Sequence, residues 1–320
     1  MNFWKFSGLD EAALGSRLGP FCACLTSFVI TRNNPENREL YDLLTLIVTR
    51  KKDDYRQIMV ADSKKIYSAA TGIAMLENSV LSFLGAAGFP LPSNFRDFIG
   101  FLCPPEDAQS LIQTPWFRQA HGFTLPVACE LKRIVKNIRY SSRGMKDSGV
   151  VFLKPSLRFI TARCFNLALD DAVNKGMALQ NLIAPLVREA LNAPESLGGR
   201  ISIDRQGGRR YYGTWLAQAF PEAELQTLVE SKQQSIYRKG KQRLEFLVRA
   251  DDSRLETALA SMIAKYAREI AMRQFNHWWL GKIPGIKPCA GYPHDAVRFI
   301  SELADAGLMP GNPDTLIRRL

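Results

Sequence analysis

Runs of apolar residues alternate along the chain with segments of helical periodicity. Unbroken or alternating apolar runs predict strands at 3–9, 21–30, 149–163, 199–204 and 243–250. Apolar positions three and four residues apart predict helices at 66–86, 128–143, 172–191, 254–279 and 294–306. Residues 39–48 fit either element, and 31–38, with Asn-Asn-Pro, predicts a loop. Strands that alternate with helices predict an α/β fold with helices covering a sheet.

A proline-rich stretch interrupts this pattern. Residues 87–127 contain six prolines and several glycines, which predicts short helices in an inserted region. We therefore expect a core whose first part is 1–69, a divergent and mainly helical insertion at 70–150, and a second core part at 151–320 that ends in C-terminal helices.

The composition narrows the class of protein. Hydrophobic residues make up 46% of the chain, enough for a sizeable core. The net charge of +11 favours an anionic partner, of which nucleic acid is the commonest, although a charged, soluble surface explains it equally well. With no long apolar run, no secretory pattern and six scattered cysteines, we expect a cytoplasmic protein whose cysteines are mostly core residues.

Carboxylates occupy positions at which a sheet and its covering helix can gather them. Asp10 and Glu11 end the first predicted strand, Asp204 ends a later one, and Glu269 lies in the long helix. Oxygen ligands of this kind suit Mg²⁺ or Mn²⁺, and two such ions promote phosphodiester hydrolysis. Taken singly, each acid also fits a turn, a cap or, for Glu269, a solvated pair with Lys265.

Short motifs in a fixed order give these acids a context. Residues 8–20 read Gly-Leu-Asp-Glu-Ala-Ala-Leu-Gly-Ser-Arg-Leu-Gly-Pro, and residues 62–65 read Asp-Ser-Lys-Lys. Further along come Ile203-Asp204, Ala250-Asp251, an Ala-Ser-Met-Ile-Ala-Lys run at 260–265, Pro284-Gly285 and Gly291-Tyr292. Over residues 8–292, apart from a divergent middle, these motifs resemble those of type 2 ribonucleases H (ribonuclease HII).

The resemblance implies a fold and a set of roles. The fold is a ribonuclease H-like mixed sheet flanked by helices. Asp10, Glu11 and Asp204 match three of the family's four metal-binding carboxylates. Arg268-Glu269 stands where we expect an Arg-Asp pair, so Glu269 is the expected fourth ligand for Mg²⁺ or Mn²⁺. Tyr292 matches the tyrosine that stacks on a sugar near the scissile phosphate.

One departure concerns substrate recognition. The family has Gly-Arg-Gly after Asp-Glu-Ala, and its backbone contacts the ribonucleotide 2′-hydroxyl. This chain has Ala13, Leu14 and Gly15. A methyl group at Ala13 obstructs a close approach of the sugar. We therefore expect a run of ribonucleotides to be cut better than a single ribonucleotide in DNA.

Basic residues supply candidate phosphate contacts. Lys64 and Lys65 belong to the Asp-Ser-Lys-Lys motif. Four more cations lie on one face of the helix predicted at 128–143, namely Lys132, Lys136, Arg139 and Arg143. No acidic residue lies between 131 and 146, which favours phosphate contact over an ordinary solvated face, although both fit.

Three functions remain open at this stage. The first is a metal-dependent endonuclease that hydrolyses RNA in RNA–DNA hybrids. The second is a nucleic-acid-binding protein of the same fold with weak or no cleavage activity. The third is a partner-binding protein whose proline-rich middle is the functional surface.

Overall fold

The computed structural model describes residues 3–31, 38–51, 57–67, 72–118, 123–194 and 197–319. Most of the loop predicted at 31–38, and residues 68–71 of the helix predicted at 66–86, lie outside them. Across the described segments, no helix combines the length and apolar character that crossing a membrane requires.

Strands occur throughout the described chain. They are β1 (Trp4–Ala12), β2 (Phe21–Ile30), β3 (Val48–Thr49), β4 (Ile58–Met59), β5 (Val150–Phe152), β6 (Ser156–Ile160), β7 (Gly198–Asp204), β8 (Gln226–Glu230), β9 (Gln234–Lys239) and β10 (Gln242–Leu247).

Helices connect and cover these strands. The first seven are α1 (Leu40–Leu43), α2 (Ser63–Ile66), α3 (Ala74–Ala86), α4 (Phe95–Leu102), α5 (Pro105–Gln113), α6 (Pro115–Arg118) and α7 (Leu131–Asp147). The others are α8 (Ala162–Asp170), α9 (Lys175–Leu191), α10 (Gly213–Ala219), α11 (Ala250–Ser253), α12 (Leu255–Leu280) and α13 (Pro293–Asp305).

One mixed sheet organises the fold. Its strand order is β5-β2-β1-β7-β10-β9-β8, and β6 also pairs with β2. β2 runs antiparallel to β1, whereas β1, β7 and β10 run parallel to one another. Helices lie on both faces of this sheet. The predicted mixed sheet flanked by helices is confirmed.

The long helix α12 lies directly on β1. Gly8 makes this possible, because a Cβ at that position would lie 2.2 Å from the carbonyl carbon of Glu256. On this face Phe6 packs into a core cluster with α12, while Leu9 points to the opposite face and packs with α9. The alternation places Asp10 on the α12 face and Glu11 on the α9 face.

Several elements differ from the sequence prediction. The strand expected at 149–163 is two strands, β5 and β6, because Pro155 cannot donate to a ladder. The helix expected at 66–86 is observed as α3, which begins only at Ala74, and the separate short α2 ends at Ile66. Helix α8 is not among the predicted elements. Helix α7 extends from Leu131 to Asp147.

Helices α3 to α7 occupy most of the described part of the expected insertion. Buried Glu77 of α3 ties this region to the rest, since its carboxylate accepts the backbone N–H groups of Val127, Ala128 and Cys129 and the hydroxyl of Tyr266. Tyr266 belongs to α12. The region therefore packs against the same helix that covers β1, and the division into three parts stays a prediction.

Candidate metal and nucleic-acid site

Carboxylates meet at one edge of the sheet. β1, β7 and β10 are neighbours and run parallel, so their carboxyl ends share that edge. Asp10 and Glu11 lie near the end of β1, and Asp204 is the last residue of β7. After β10 the chain turns into α11, which carries Asp251, and the backbone N–H of Ala250 donates to Asp204 Oδ1 at 2.8 Å.

These four acids, together with Asp62 and Asp252, line a cleft of about 640 Å³. The cleft also carries cations from several elements, namely Lys64, Lys65, Arg205, Arg249, Lys265 and Arg268. Carboxylates at the floor with cations around them suit a polyanionic substrate that is bound through metal ions and directly through its phosphates.

The carboxylates oppose one another's ionisation. Burial, followed by repulsion from Glu11 and Asp204, holds the pKa of Asp10 well above its usual range. Burial and the charge of Asp204 raise the pKa of Glu11 to about 8. Burial and the charges of Asp204 and Asp62 raise the pKa of Asp251 to about 6. Burial and mutual repulsion therefore both oppose simultaneous ionisation of these three acids.

This donor set fits a hard divalent cation. All the groups are carboxylate oxygens, and Glu11 Oε2 is buried with no hydrogen-bond partner in the described chain. Among the described residues, no three acidic, histidine or cysteine side chains already converge on a single point. The fit is thus one of donor chemistry and charge.

Glu269 does not join the other acids. Its carboxylate accepts from Arg268 Nη1 at 2.8 Å and from the Tyr67 hydroxyl at 2.7 Å, so both oxygens are engaged. Ser261, Lys265 and Arg268 of α12 line the cleft, and Glu269 is not among its lining residues although it lies one helical turn after Lys265. Of the four predicted carboxylates, Asp10, Glu11 and Asp204 line the cleft and Glu269 does not, whereas Asp251, which was not predicted, does.

Asp251 was present in the sequence motifs but had no assigned role. The available signal was its position, since it follows directly after a predicted strand in the same way as Asp10 and Asp204. No local feature showed which side of α12 would face the sheet.

Tyr292 lies at the rim of the cleft. It is 43% exposed, and the Arg268 guanidinium carbon lies 5.1 Å from its ring centroid. Arg268 also donates to the carbonyl of Ala290, and Gly291 O accepts from the backbone N–H groups of Arg17 and Leu18 at 2.8 and 3.0 Å. These contacts fix an aromatic surface beside the carboxylates.

The turn after β1 forms another part of the wall. Ala13 and Leu14 line the cleft, and Gly15 continues the turn, which Ser16 N closes on Ala13 O at 3.2 Å. Ala13 has φ +67°, in the left-handed region that favours glycine. Leu14 also packs against the core cluster on the α9 face. Its side chain is therefore part of the packing as well as of the wall.

The predicted basic residues divide into two groups. Lys64 and Lys65 line the cleft on α2, which Asp62 caps by accepting Lys64 N–H at 2.8 Å. Lys65 forms an ion pair with Asp252 at 2.5 Å.

The cations of α7 lie outside this cleft. Lys132, Lys136 and Arg139 line a separate shallow groove with Tyr140, and Arg143 pairs with Asp147 at 3.7 Å. Lys132 also pairs with Glu130 at 3.1 Å. Helix α7 packs on α3, so its basic face is a second exposed surface.

Comparison with protein-family models finds no match, and comparison with curated protein sequences finds none either. Comparison with solved structures finds ribonucleases H. Ribonuclease H2 from Pyrococcus horikoshii has 15% identity and a TM-score of 0.43, covering 98% of this chain and 92% of that one. Ribonuclease HII from Archaeoglobus fulgidus, in a complex with PCNA, has 12% identity, a TM-score of 0.41 and the same coverage. Bst-RNase HIII, in complex with Mn²⁺, has 13% identity and a TM-score of 0.40, with 98% and 66% coverage.

Proposed function

We propose that this chain is a divalent-metal-dependent endonuclease that hydrolyses the RNA strand of RNA–DNA hybrids. The observation that carries the proposal is the meeting of Asp10, Glu11, Asp204 and Asp251 at the carboxyl edge of the parallel strands, in a cleft that also presents lysines and arginines. The sequence motifs that resemble type 2 ribonucleases H supply the substrate class.

The four carboxylates would hold Mg²⁺ or Mn²⁺. When bound, such ions activate a water molecule and stabilise the leaving oxygen of a phosphodiester. The water oxygen forms a bond to phosphorus while the bond from phosphorus to O3′ breaks, and the leaving O3′ takes up a proton. The products are a 3′-hydroxyl and a 5′-phosphate. Asp251 takes the place that the sequence motifs suggested for Glu269.

Glu269 then has an indirect part. By accepting from Tyr67 and Arg268 it connects the segment after α2 to α12 and helps to hold Arg268 beneath Tyr292. It thus supports the wall of the cleft without contacting the reacting phosphate.

Recognition of the hybrid falls to the wall of the cleft. Lys64 and Lys65 attract phosphates, Tyr292 offers an aromatic face to a sugar, and the turn at Ala13–Gly15 presents backbone to the 2′-hydroxyl. A hybrid has a wide, shallow minor groove that displays its 2′-hydroxyls, and a cleft read through backbone and aromatic contacts suits that shape. The basic face of α7 would add phosphate contacts away from the cleft.

The direct test compares labelled hybrid, single-stranded RNA and duplex DNA in Mg²⁺, in Mn²⁺ and in EDTA. We expect cleavage of the RNA strand of the hybrid with either metal and none in EDTA. Salt-sensitive binding of the hybrid without cleavage would favour the alternative, a nucleic-acid-binding protein of the same fold. If the protein shows neither binding nor cleavage of any of these molecules, nucleic acid is excluded as its substrate.

A further inference from the structure

Arg318, close to the C-terminal end, lies at the back of the turn that follows β1. Its side chain is fully buried. Its guanidinium carbon lies 4.1 Å from the ring centroid of Phe165 and 5.8 Å from that of Phe21. Within the described residues no carboxylate pairs with it, and burial lowers its pKa to about 10, so it remains charged at neutral pH.

The donors of this buried cation point at the turn. Arg318 Nη1 donates to Ala13 O at 2.7 Å, and Nη2 donates to Leu14 O at 3.2 Å. The two carbonyls therefore face the protein interior. In a trans peptide the N–H of the next residue points opposite to the carbonyl, so the N–H groups of Leu14 and Gly15 point away from Arg318. In the described structure neither N–H donates a hydrogen bond to the protein.

The segment that carries Arg318 is itself held in place. Arg318 N donates to Arg17 O at 2.7 Å, and Leu18 pairs with Ile317. Asn166 of α8 donates to Ile317 O at 2.8 Å and accepts from Arg319 N at 2.8 Å. The guanidinium is thus fixed on a rigid support rather than at the end of a loose tail.

We propose that Arg318 is a positioning residue for substrate recognition. It turns the Ala13 and Leu14 carbonyls inward and so presents the Leu14 and Gly15 N–H groups to a 2′-oxygen of the RNA strand. It also offsets the cost of holding Ala13 in a left-handed conformation. The inference rests on the proposed function for the identity of the ligand, whereas the orientation of the turn rests on the contacts of Arg318 alone.

The test uses three variants of the whole chain. Arg318→Met keeps an unbranched stem without donors, and Arg318→Lys keeps the charge without the planar fork. Arg319→Gln is the matched control, because Arg319 lies next in the same segment but contacts Asn166 and Asp170. Each variant is examined by thermal unfolding, by hydrogen exchange of residues 12–18 and by KM and kcat on a hybrid.

We expect Arg318→Met to speed exchange of the hydrogen-bonded N–H groups of Ser16, Arg17 and Leu18. We also expect it to raise KM about three- to ten-fold, the loss typical of one or two hydrogen bonds, with kcat little changed. The exchange rates and KM of Arg318→Lys should lie between those of Arg318→Met and of the unmodified protein. If Arg318→Met does not fold, Arg318→Lys takes its place in the test. Unchanged exchange and KM in a folded Arg318 variant would overturn the proposal. Equal effects in Arg319→Gln would overturn it too, since they would reflect docking of the segment.

Failure of the proposed function is separable from failure of this inference. If the unmodified protein binds hybrid without cutting it, the dissociation constants for hybrid and for duplex DNA replace KM. If Arg318→Met binds the hybrid more weakly but binds duplex DNA as the unmodified protein does, the result supports 2′-oxygen recognition. An equal loss of affinity for both duplexes contradicts it. If no nucleic acid binds at all, 2′-oxygen recognition fails together with the proposed function, and the exchange rates alone then decide whether Arg318 orients the turn.

Discussion

Asp10 of β1 and Asp204 of β7 lie side by side because the parallel register places Leu9 opposite Ile203, one residue before each acid. Their repulsion is one of the causes that raise the pKa of Asp10. Two ionised carboxylates held in this way repel each other and so destabilise the native state when no cation is bound, whereas together they can bind a divalent cation.

Asp251 is expected to be part of the metal site, and its neighbour Asp252 is not. Asp251→Asn should lower metal-dependent cleavage by at least about ten-fold, because removing a ligand charge weakens metal binding. Asp252→Asn is the matched control, since its carboxylate pairs with Lys65 at the rim. Equal activity in both variants, at saturating Mg²⁺ and at limiting Mg²⁺, would place Asp251 outside the chemistry.

The metal-free protein should lose stability as pH rises. In the native state the pKa of Asp251 is raised to about 6 and that of Glu11 to about 8. At a pH between the ordinary pKa of each group and its raised value, the native protein therefore keeps a proton that the unfolded chain has released. The contribution of these two groups to the free energy of unfolding is therefore greatest below about pH 4.5, and it decreases as the pH rises to about 8.

Thermal unfolding in EDTA and in Mg²⁺, at about pH 5 and about pH 8, measures this effect. We expect Mg²⁺ to raise the melting temperature more at the higher pH, where protons no longer compete for the carboxylates. An equal Mg²⁺ effect at both values would argue against a metal site built from these acids.

Much of this site follows from sequence, for a physical reason. The two acids of β1 and Asp204 sit at the ends of strongly apolar strands, and β2 has the predicted bounds of 21–30. Such strands form wherever their side chains can be buried on both faces. The carboxylate of Glu269 is instead engaged by Arg268 and by Tyr67, which lies about 200 residues away in the sequence, and this second contact depends on tertiary packing. Arg318 and the Ala13 carbonyl that it contacts are 305 positions apart in the sequence, and no local pattern indicates that contact.

The basic face of α7 should contribute to salt-dependent binding. Replacing Lys132, Lys136, Arg139 and Arg143 with Gln should flatten the slope of log affinity against log salt, by up to about 0.9 for each lost phosphate contact. For a matched comparison, the double variant Lys136→Gln, Arg139→Gln is set against the double variant Arg163→Gln, Arg188→Gln. Arg163 and Arg188 belong to α8 and α9, which pack on the opposite face of the sheet from α7. An equal slope for the two pairs would show that the α7 face is only solvated.

Replacement of Ala13 by glycine should be tolerated and should make the protein more stable. At φ +67° a Cβ is unfavourable, so Ala13→Gly should stabilise the protein by up to about 1 kcal/mol, as thermal unfolding would show. With the methyl group gone, cleavage at a single ribonucleotide in DNA should rise relative to cleavage within a ribonucleotide run. Leu14 is best left unchanged, because its side chain packs into the core. A ratio of rates equal to that of the unmodified protein would contradict the assigned effect of the Ala13 methyl group.

The central claim is that carboxylates at this strand edge cleave RNA through bound metal, and Asp10→Asn tests it most directly. The change keeps the shape of the side chain and removes its charge. The measurement is single-turnover cleavage of a labelled hybrid in Mg²⁺ by both proteins, with hybrid affinity measured alongside. The account predicts cleavage by the unmodified protein, a loss of at least about a hundred-fold in Asp10→Asn, and similar affinity in both. Full cleavage by the folded Asp10→Asn protein would contradict it.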